Sequence, residues 1–156
     1  MEAATITPRM TNPIITLRGA YEGIMGLSKA VQRTPLPATT ATMVHLRASQ
    51  INGCSFCVDM HARQLREAGE SAERIACVAA WRDAPFYDQA ERVALELTEV
   101  VTRLADTSDP VDDELWARAA AQFGEEELGG LLVEIAAINV WNRVNVTIRQ
   151  VAGAGT

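Results

Sequence analysis

Ser49-Gln50-Ile51-Asn52-Gly53-Cys54-Ser55-Phe56-Cys57-Val58-Asp59-Met60-His61 holds a helix stop and a helix start within a few residues. Asn52-Gly53 is a carboxyl-terminal signal, because glycine accepts the left-handed backbone on which many helices end. If the segment after it is helical, Cys54, Cys57 and His61 fall at i, i+3 and i+7, on one face. Only a tight turn separates this helix from the one before it. The two are therefore expected to form an antiparallel helix hairpin, with the C-x-x-C at the start of its second arm.

Outward from the hairpin, the first arm is predicted over Ala38–Ile51, with Met43, Leu46 and Ile51 turned inward. The second arm should run to about Ala68, where Gly69 ends it. Upstream, Leu17, Tyr21, Ile24, Met25 and Leu27 suit one helix over 14–31, closed before Pro35 and Pro37. Gly19, Gly23 and Gly26 weaken that helix or mark a close helix–helix contact. Residues 1–13, with two prolines and no period, read as a flexible arm ahead of a single domain over 14–152.

Downstream, Ser71 is placed to cap a short helix through Ala80. Asp88-Gln89-Ala90-Glu91 has the form of a capping box and opens a periodic helix through Leu104. Asp109-Pro110 offers a further start, an N-cap followed by proline, for a helix ending near Gly124. The last segment, Glu125–Val151, is apolar on more than one face, as in a helix buried centrally or shared with a second subunit. No segment alternates with period two between hairpin turns, and the fold class is all-α.

The bulk properties narrow the function. At 156 residues, 48% hydrophobic and 22% charged, the chain reads as one soluble globular domain. A net charge of −6 with no basic cluster argues against a nucleic-acid partner and against docking on anionic membranes. No run of 18 apolar residues suggests a membrane span, and the amino terminus lacks the pattern of a secretory leader. A cytoplasmic location follows as the expectation. There, a C-x-x-C is more often redox-active or metal-binding than a structural staple. Cys77 reads as a small buried hydrophobe.

The reactive species of a cysteine is its thiolate, and an ordinary thiol with a pKa of about 8.5 is mostly protonated at neutral pH. Both sulfurs lie in the first turn of a helix, where unpaired N–H groups favour negative charge. His61, one turn beyond Cys57, is placed to take its proton. Cys57 is thus the expected attacking thiol, Cys54 the resolving thiol and His61 the proton acceptor. With a hydroperoxide, Cys57 would become a sulfenic acid and condense with Cys54 to a disulfide. An external dithiol or disulfide reductant would then restore the pair. No metal or organic cofactor is required: a zinc site lacks a second C-x-x-C and has only His45 as an obvious fourth ligand. A c-type haem site would need His where Val58 stands.

Leu46-Arg47-Ala48-Ser49-Gln50-Ile51-Asn52-Gly53 followed by Cys54-Ser55-Phe56-Cys57-Val58-Asp59-Met60-His61 resembles the AhpD-like alkylhydroperoxidase and carboxymuconolactone decarboxylase family. The likeness continues in Ala80-Trp81-Arg82, in Glu91-Arg92-Val93-Ala94-Leu95 and in Ile138-Asn139-Val140-Trp141-Asn142-Arg143. It implies an all-helical, oligomeric fold, commonly a trimer or hexamer. It also implies antioxidant peroxide reduction through the two cysteines, with a proton relay through His61. The chain departs from the family pattern at Thr42, twelve residues before the first cysteine, where the family has a glutamate. His45 shares a face with Thr42 and Ser49. His45, or a water held by Thr42, is a candidate replacement for that carboxylate, and a surface role for His45 is the plain alternative. The other functional readings are a lyase of the decarboxylase branch, which does not need a dithiol, and a non-enzymatic redox switch or binding protein.

Overall fold

The computed structural model describes residues 6–153, so the first five residues of the expected arm lie outside the described part. Every regular element among the described residues is a helix. Asn12 caps α1 (Pro13–Thr16) by accepting from the Ile14 N–H, with Pro13 in the first turn. α2 (Ala20–Val31) follows. Where one helix was expected over 14–31, there are two. The break lies at Gly19, whose φ of +83° is in the left-handed region that side chains disfavour. The arm preceding α1 is tied to the far end of the chain. The Arg9 N–H donates to the Ile148 carbonyl (2.7 Å), and Asn12 Nδ2 donates to Asn145 Oδ1 (2.8 Å).

α3 (Ala38–Asn52) ends at Gly53, φ +70°. The Cys54 N–H bonds back to the Ser49 carbonyl and the Gly53 N–H to that of Gln50, the paired closure of a helix end. That turn delivers Cys54 directly to the N-cap of α4 (Ser55–Glu67). One glycine therefore both stops α3 and sets the first sulfur on the next helix. α4 ends in the same way, with Gly69 at φ +90° and the Glu70 N–H on the Leu65 carbonyl. α3 and α4 form the expected hairpin, and α3 also packs against the later helices.

Ser71 caps α5 (Ala72–Cys77), which tightens into a 3-10 turn over Val78–Ala80. Cys77 is a free thiol and is only partly buried. Asp88 and Glu91 make the reciprocal capping box that opens α6 (Gln89–Thr102). α7 (Asp113–Gln122) corrects the expected start at Asp109-Pro110. The hydroxyl of Thr107 takes the Asp109 N–H in a local turn, and Asp112 caps the helix instead, accepting from Leu115 (2.8 Å). This later start turns Leu115 and Ala119 into the core.

α8 (Glu125–Ile148) is the longest element and packs on α2, α3 and α6. Leu128, Leu131, Ile135 and Ile138 are buried, as a central helix requires. The close approach expected of the α2 glycines is made elsewhere. A Cβ at Gly23 or Gly26 would meet nothing within 4 Å, whereas one at Gly130 would come 2.9 Å from Thr34 Oγ1 and 3.3 Å from Val31 Cγ1. Gly130 lets α8 close on the end of α2. α8 also has a buried polar face that the apolar reading of the segment passed over. Asn142 donates to Ser49, Asn52 donates to Asn139 and Asn142, and Asn139 donates to Thr102. This seam fixes the register of α8 on α3, since each buried amide left unpaired would cost about 1–3 kcal/mol.

The apolar core lies on both sides of α3. Val44, Val93, Leu97, Leu131 and Ile135 pack on one side, and Met43, Leu46, Leu65, Val78, Trp81 and Leu95 on the other. α3 is thereby wedged between its hairpin partner and α8, and both helices bring functional groups to it.

Candidate functional site

Cys54 and Cys57 are joined in a disulfide within the first turn of α4. Cys54, as N-cap, accepts the Cys57 N–H on its sulfur (3.3 Å). In the reduced protein the same bond favours a negative Cys54 sulfur. Cys57 is buried, and its sulfur accepts from Asn145 Nδ2 on α8 (3.4 Å). The amide of Asn145 is held in that sense because its oxygen takes the proton of Asn12. A side-chain donor aimed at sulfur stabilises a thiolate more than a thiol.

His61 lies one turn beyond Cys57 and is also buried. Its Nδ1 pairs with Gln64 Oε1 (2.8 Å), a carbonyl that accepts, so the ring proton sits on Nδ1. Nε2 is then the basic nitrogen, and it is buried with no hydrogen-bond partner among the described residues. Burial, followed by the charge of neighbouring His45, pushes the imidazole down to about 3, against a smaller upward pull from Gln64. His61 is therefore neutral at physiological pH and available as a base.

His45 is half-buried, its side chain 19% exposed. Its ring centroid is 4.9 Å from that of His61, the planes tilted by 49°. Its Nε2 donates to Glu134 Oε2 on α8 at 2.7 Å, and the Glu134 side chain is 7% exposed. Thr42 lines the same space, but its hydroxyl donates to the Ala38 carbonyl of its own helix (2.8 Å). Among the described residues, no group of three or more His, Cys, Asp or Glu side chains could hold a metal ion.

These groups face one cavity of about 1020 Å³. Its lining includes Cys57, His61, His45, Thr42, Glu134 and Asn145; Cys54 is not part of it. Tyr21, Met25, Phe56, Met60, Ile138 and Trp141 give the rest of the wall an apolar character suited to an organic molecule. No helix among the described residues is long and apolar enough to cross a membrane.

Four side chains at this site were not singled out in the sequence: Glu134, Asn145, Gln64 and Asn12. A signal did exist for three of them. Glu134 and Asn145 lie eleven residues apart, three helical turns, and so share a face of a helix whose apolar content hid them. Gln64 sits three residues after His61, within reach on the same helix.

The model of the carboxymuconolactone decarboxylase family matches residues 18–100. YdfG of Bacillus subtilis, an uncharacterized protein, is 38% identical over 125 residues, which span 80% of this chain and 84% of YdfG. YnjA of Escherichia coli, also uncharacterized, is 34% identical over 114 residues, 73% of this chain and 61% of YnjA. Among solved structures, a protein of unknown function from Agrobacterium tumefaciens, a candidate antioxidant defence protein AhpD, matches with a TM-score of 0.86. That match has 35% identity and covers 95% of this chain and 99% of the other.

Proposed function

This chain belongs to the carboxymuconolactone decarboxylase family, and from that premise we propose that it is an AhpD-like, dithiol-dependent hydroperoxide reductase. One observation carries the reading: Cys57 lines the same cavity as His61, a neutral imidazole whose Nε2 has no hydrogen-bond partner among the described residues, while Cys54, the N-cap of α4, does not line it.

The roles follow from that placement. His61 Nε2 takes the Cys57 proton, and Asn145 steadies the thiolate. The thiolate attacks the distal oxygen of a hydroperoxide ROOH. A sulfur–oxygen bond forms, the O–O bond breaks, and the leaving alkoxide regains a proton to depart as ROH. Cys57 is now a sulfenic acid. Cys54, whose sulfur is supported by the Cys57 N–H, displaces its hydroxyl as water and closes the disulfide. A dithiol reductant supplies the two electrons and two protons that reopen it. Reduction by an external dithiol, cytoplasmic residence and assembly as a homo-oligomer, trimer or hexamer, belong to the same proposal. Exposed Leu17 just after α1, Tyr21 and Leu27 on α2, and Val140 and Val146 on α8 support the last of these.

The lyase branch of the family name fits less well, because turning a lactone acid over needs no paired thiols. Steady-state consumption of an alkyl hydroperoxide with dithiothreitol as recycling reductant tests the proposal. Many turnovers per subunit, lost in Cys57→Ser, are expected. Consumption that stops at one equivalent per subunit would make the disulfide a switch instead.

A further inference from the structure

We propose that Glu134, on the last helix, supplies the carboxylate of the proton relay and acts through His45. The inference rests on the thiol-peroxidase reading of the same cavity, in which a base must accept the Cys57 proton.

The position expected to hold a relay carboxylate is Thr42, which cannot ionise and whose hydroxyl is bonded within its own helix. Glu134 lines the same cavity from α8. Its Oε2 takes the Nε2 proton of His45 at 2.7 Å, which leaves His45 Nδ1 as that ring's basic nitrogen. The His45 ring stands 4.9 Å from His61, whose own Nε2 lacks a partner. The titratable side chains lining the cavity are Tyr21 from α2, His45 from α3, Cys57 and His61 from α4, and Glu134 from α8. The other buried carboxylate touching α3, Glu99 on α6, is taken up by Arg47, Trp81 and Arg82. Glu134 is thus the carboxylate that the imidazole pair can use.

The need for it follows from charge. When the Cys57 S–H bond breaks, a new N–H forms and the two rings together carry one positive charge. His61 alone holds that charge poorly, because burial opposes it. A carboxylate bonded to His45 offsets it at short range in a poorly solvated site. The proton is later returned to the alkoxide, so the relay is neutral over the cycle and needs no reactant beyond the hydroperoxide. Glu134 touches no reacting atom and is a positioning residue.

The test measures thiolate formation without peroxide. In a Cys54→Ser background, the rate of Cys57 alkylation by iodoacetamide is followed against pH, with the modified peptide identified by mass. Glu134→Gln should slow alkylation at pH 7 about tenfold and move the midpoint of the curve up by about one unit. His45→Gln should do the same, and the double variant should be no worse than either single one, as expected for groups acting in series. An unchanged profile in both single variants, or losses that multiply in the double variant, overturns the proposal. Because no hydroperoxide is used, the shift would stand even if the wild type failed to turn over peroxide, and that failure would count against the proposed function alone.

Discussion

Glu99 and Glu134 are both buried carboxylates that reach α3 from a neighbouring helix, and they are engaged in opposite ways. Glu99 accepts from Arg47 (2.8 Å), Trp81 Nε1 (2.9 Å) and Arg82 (2.7 Å), joining α3, the 3-10 turn and α6 in one knot. Burial pushes its carboxyl up, and the hydrogen bonds from Arg82, Trp81 and Arg47 more than offset this, leaving it below the usual range. Glu134 has His45 as its bonded partner, beside a second imidazole with a bare nitrogen. A carboxylate saturated by three donors holds structure in place and has no room to exchange a proton. One held through a single imidazole, facing a cavity, is suited to moving charge.

The sharpest way to break this contrast is to remove each group in turn. Glu99→Ala leaves Arg47 buried without its counter-ion and should cost about 3–5 kcal/mol of stability, read as a lower denaturant midpoint. Peroxide turnover by the fraction still folded should persist. Glu134→Gln, which keeps an oxygen for the His45 proton, should cost less than about 1 kcal/mol while impairing the chemistry. Equal stability losses in the two variants would erase the distinction.

Acid provides a second contrast. His61 is neutral in the fold down to about pH 3, whereas in the unfolded chain it protonates near 6.5. Between those values the unfolded state binds the extra proton. Stability therefore falls as pH drops through this window, at up to roughly 1.4 kcal/mol per unit, and levels off above it. Glu99 acts in the same direction at the acid end, since its stabilisation is lost as pH falls through a depressed carboxyl value. Chemical denaturation of His61→Gln across pH 4–7 should show a flatter slope than the wild type. An unaltered slope would mean that His61 is not the buried neutral base described.

A smaller effect separates the two sulfurs. Asn145→Ala removes the donor to Cys57 and the partner of Asn12, and should cut the alkylation rate of Cys57 about 3- to 10-fold, the worth of roughly one hydrogen bond. Gly53→Ala strains a left-handed φ at the hairpin turn and should cost about 1 kcal/mol in thermal stability with little change in that rate.

The fold was legible where its signals are local. Gly53 closing α3, Cys54 capping α4 and the Asp88–Glu91 box each depend on residues within a few positions of one another. The hairpin follows from them. Local signals also misled where two were equivalent: Asp109 and Asp112 can both cap, and only the inward placement of Leu115 and Ala119 selects the second. Gly19 weakens the helical pattern in the sequence, but whether a glycine bends a helix or breaks it depends on what the flanking segments pack against. Of the site, the three residues on α4 were visible as a spacing. Glu134 and Asn145 were not, because they come from a helix distant in the chain. Their neighbours Ile135, Ile138 and Trp141 made that helix look uniformly apolar. Only the packing of α8 on α3 and α4 turns two scattered polar residues into partners of His45 and Cys57.

The central claim, that Cys57 reduces a hydroperoxide and Cys54 resolves it, is tested most directly by counting thiols on the denatured protein. The count is made on protein first reduced and freed of reductant, before and after one equivalent of an alkyl hydroperoxide, in wild type and in Cys54→Ser. The account predicts that the wild type falls from three thiols to one, leaving Cys77. It predicts that the variant falls from two to one, with a sulfenic acid trapped at Cys57. A wild type that keeps all three thiols while the peroxide remains unconsumed would contradict it.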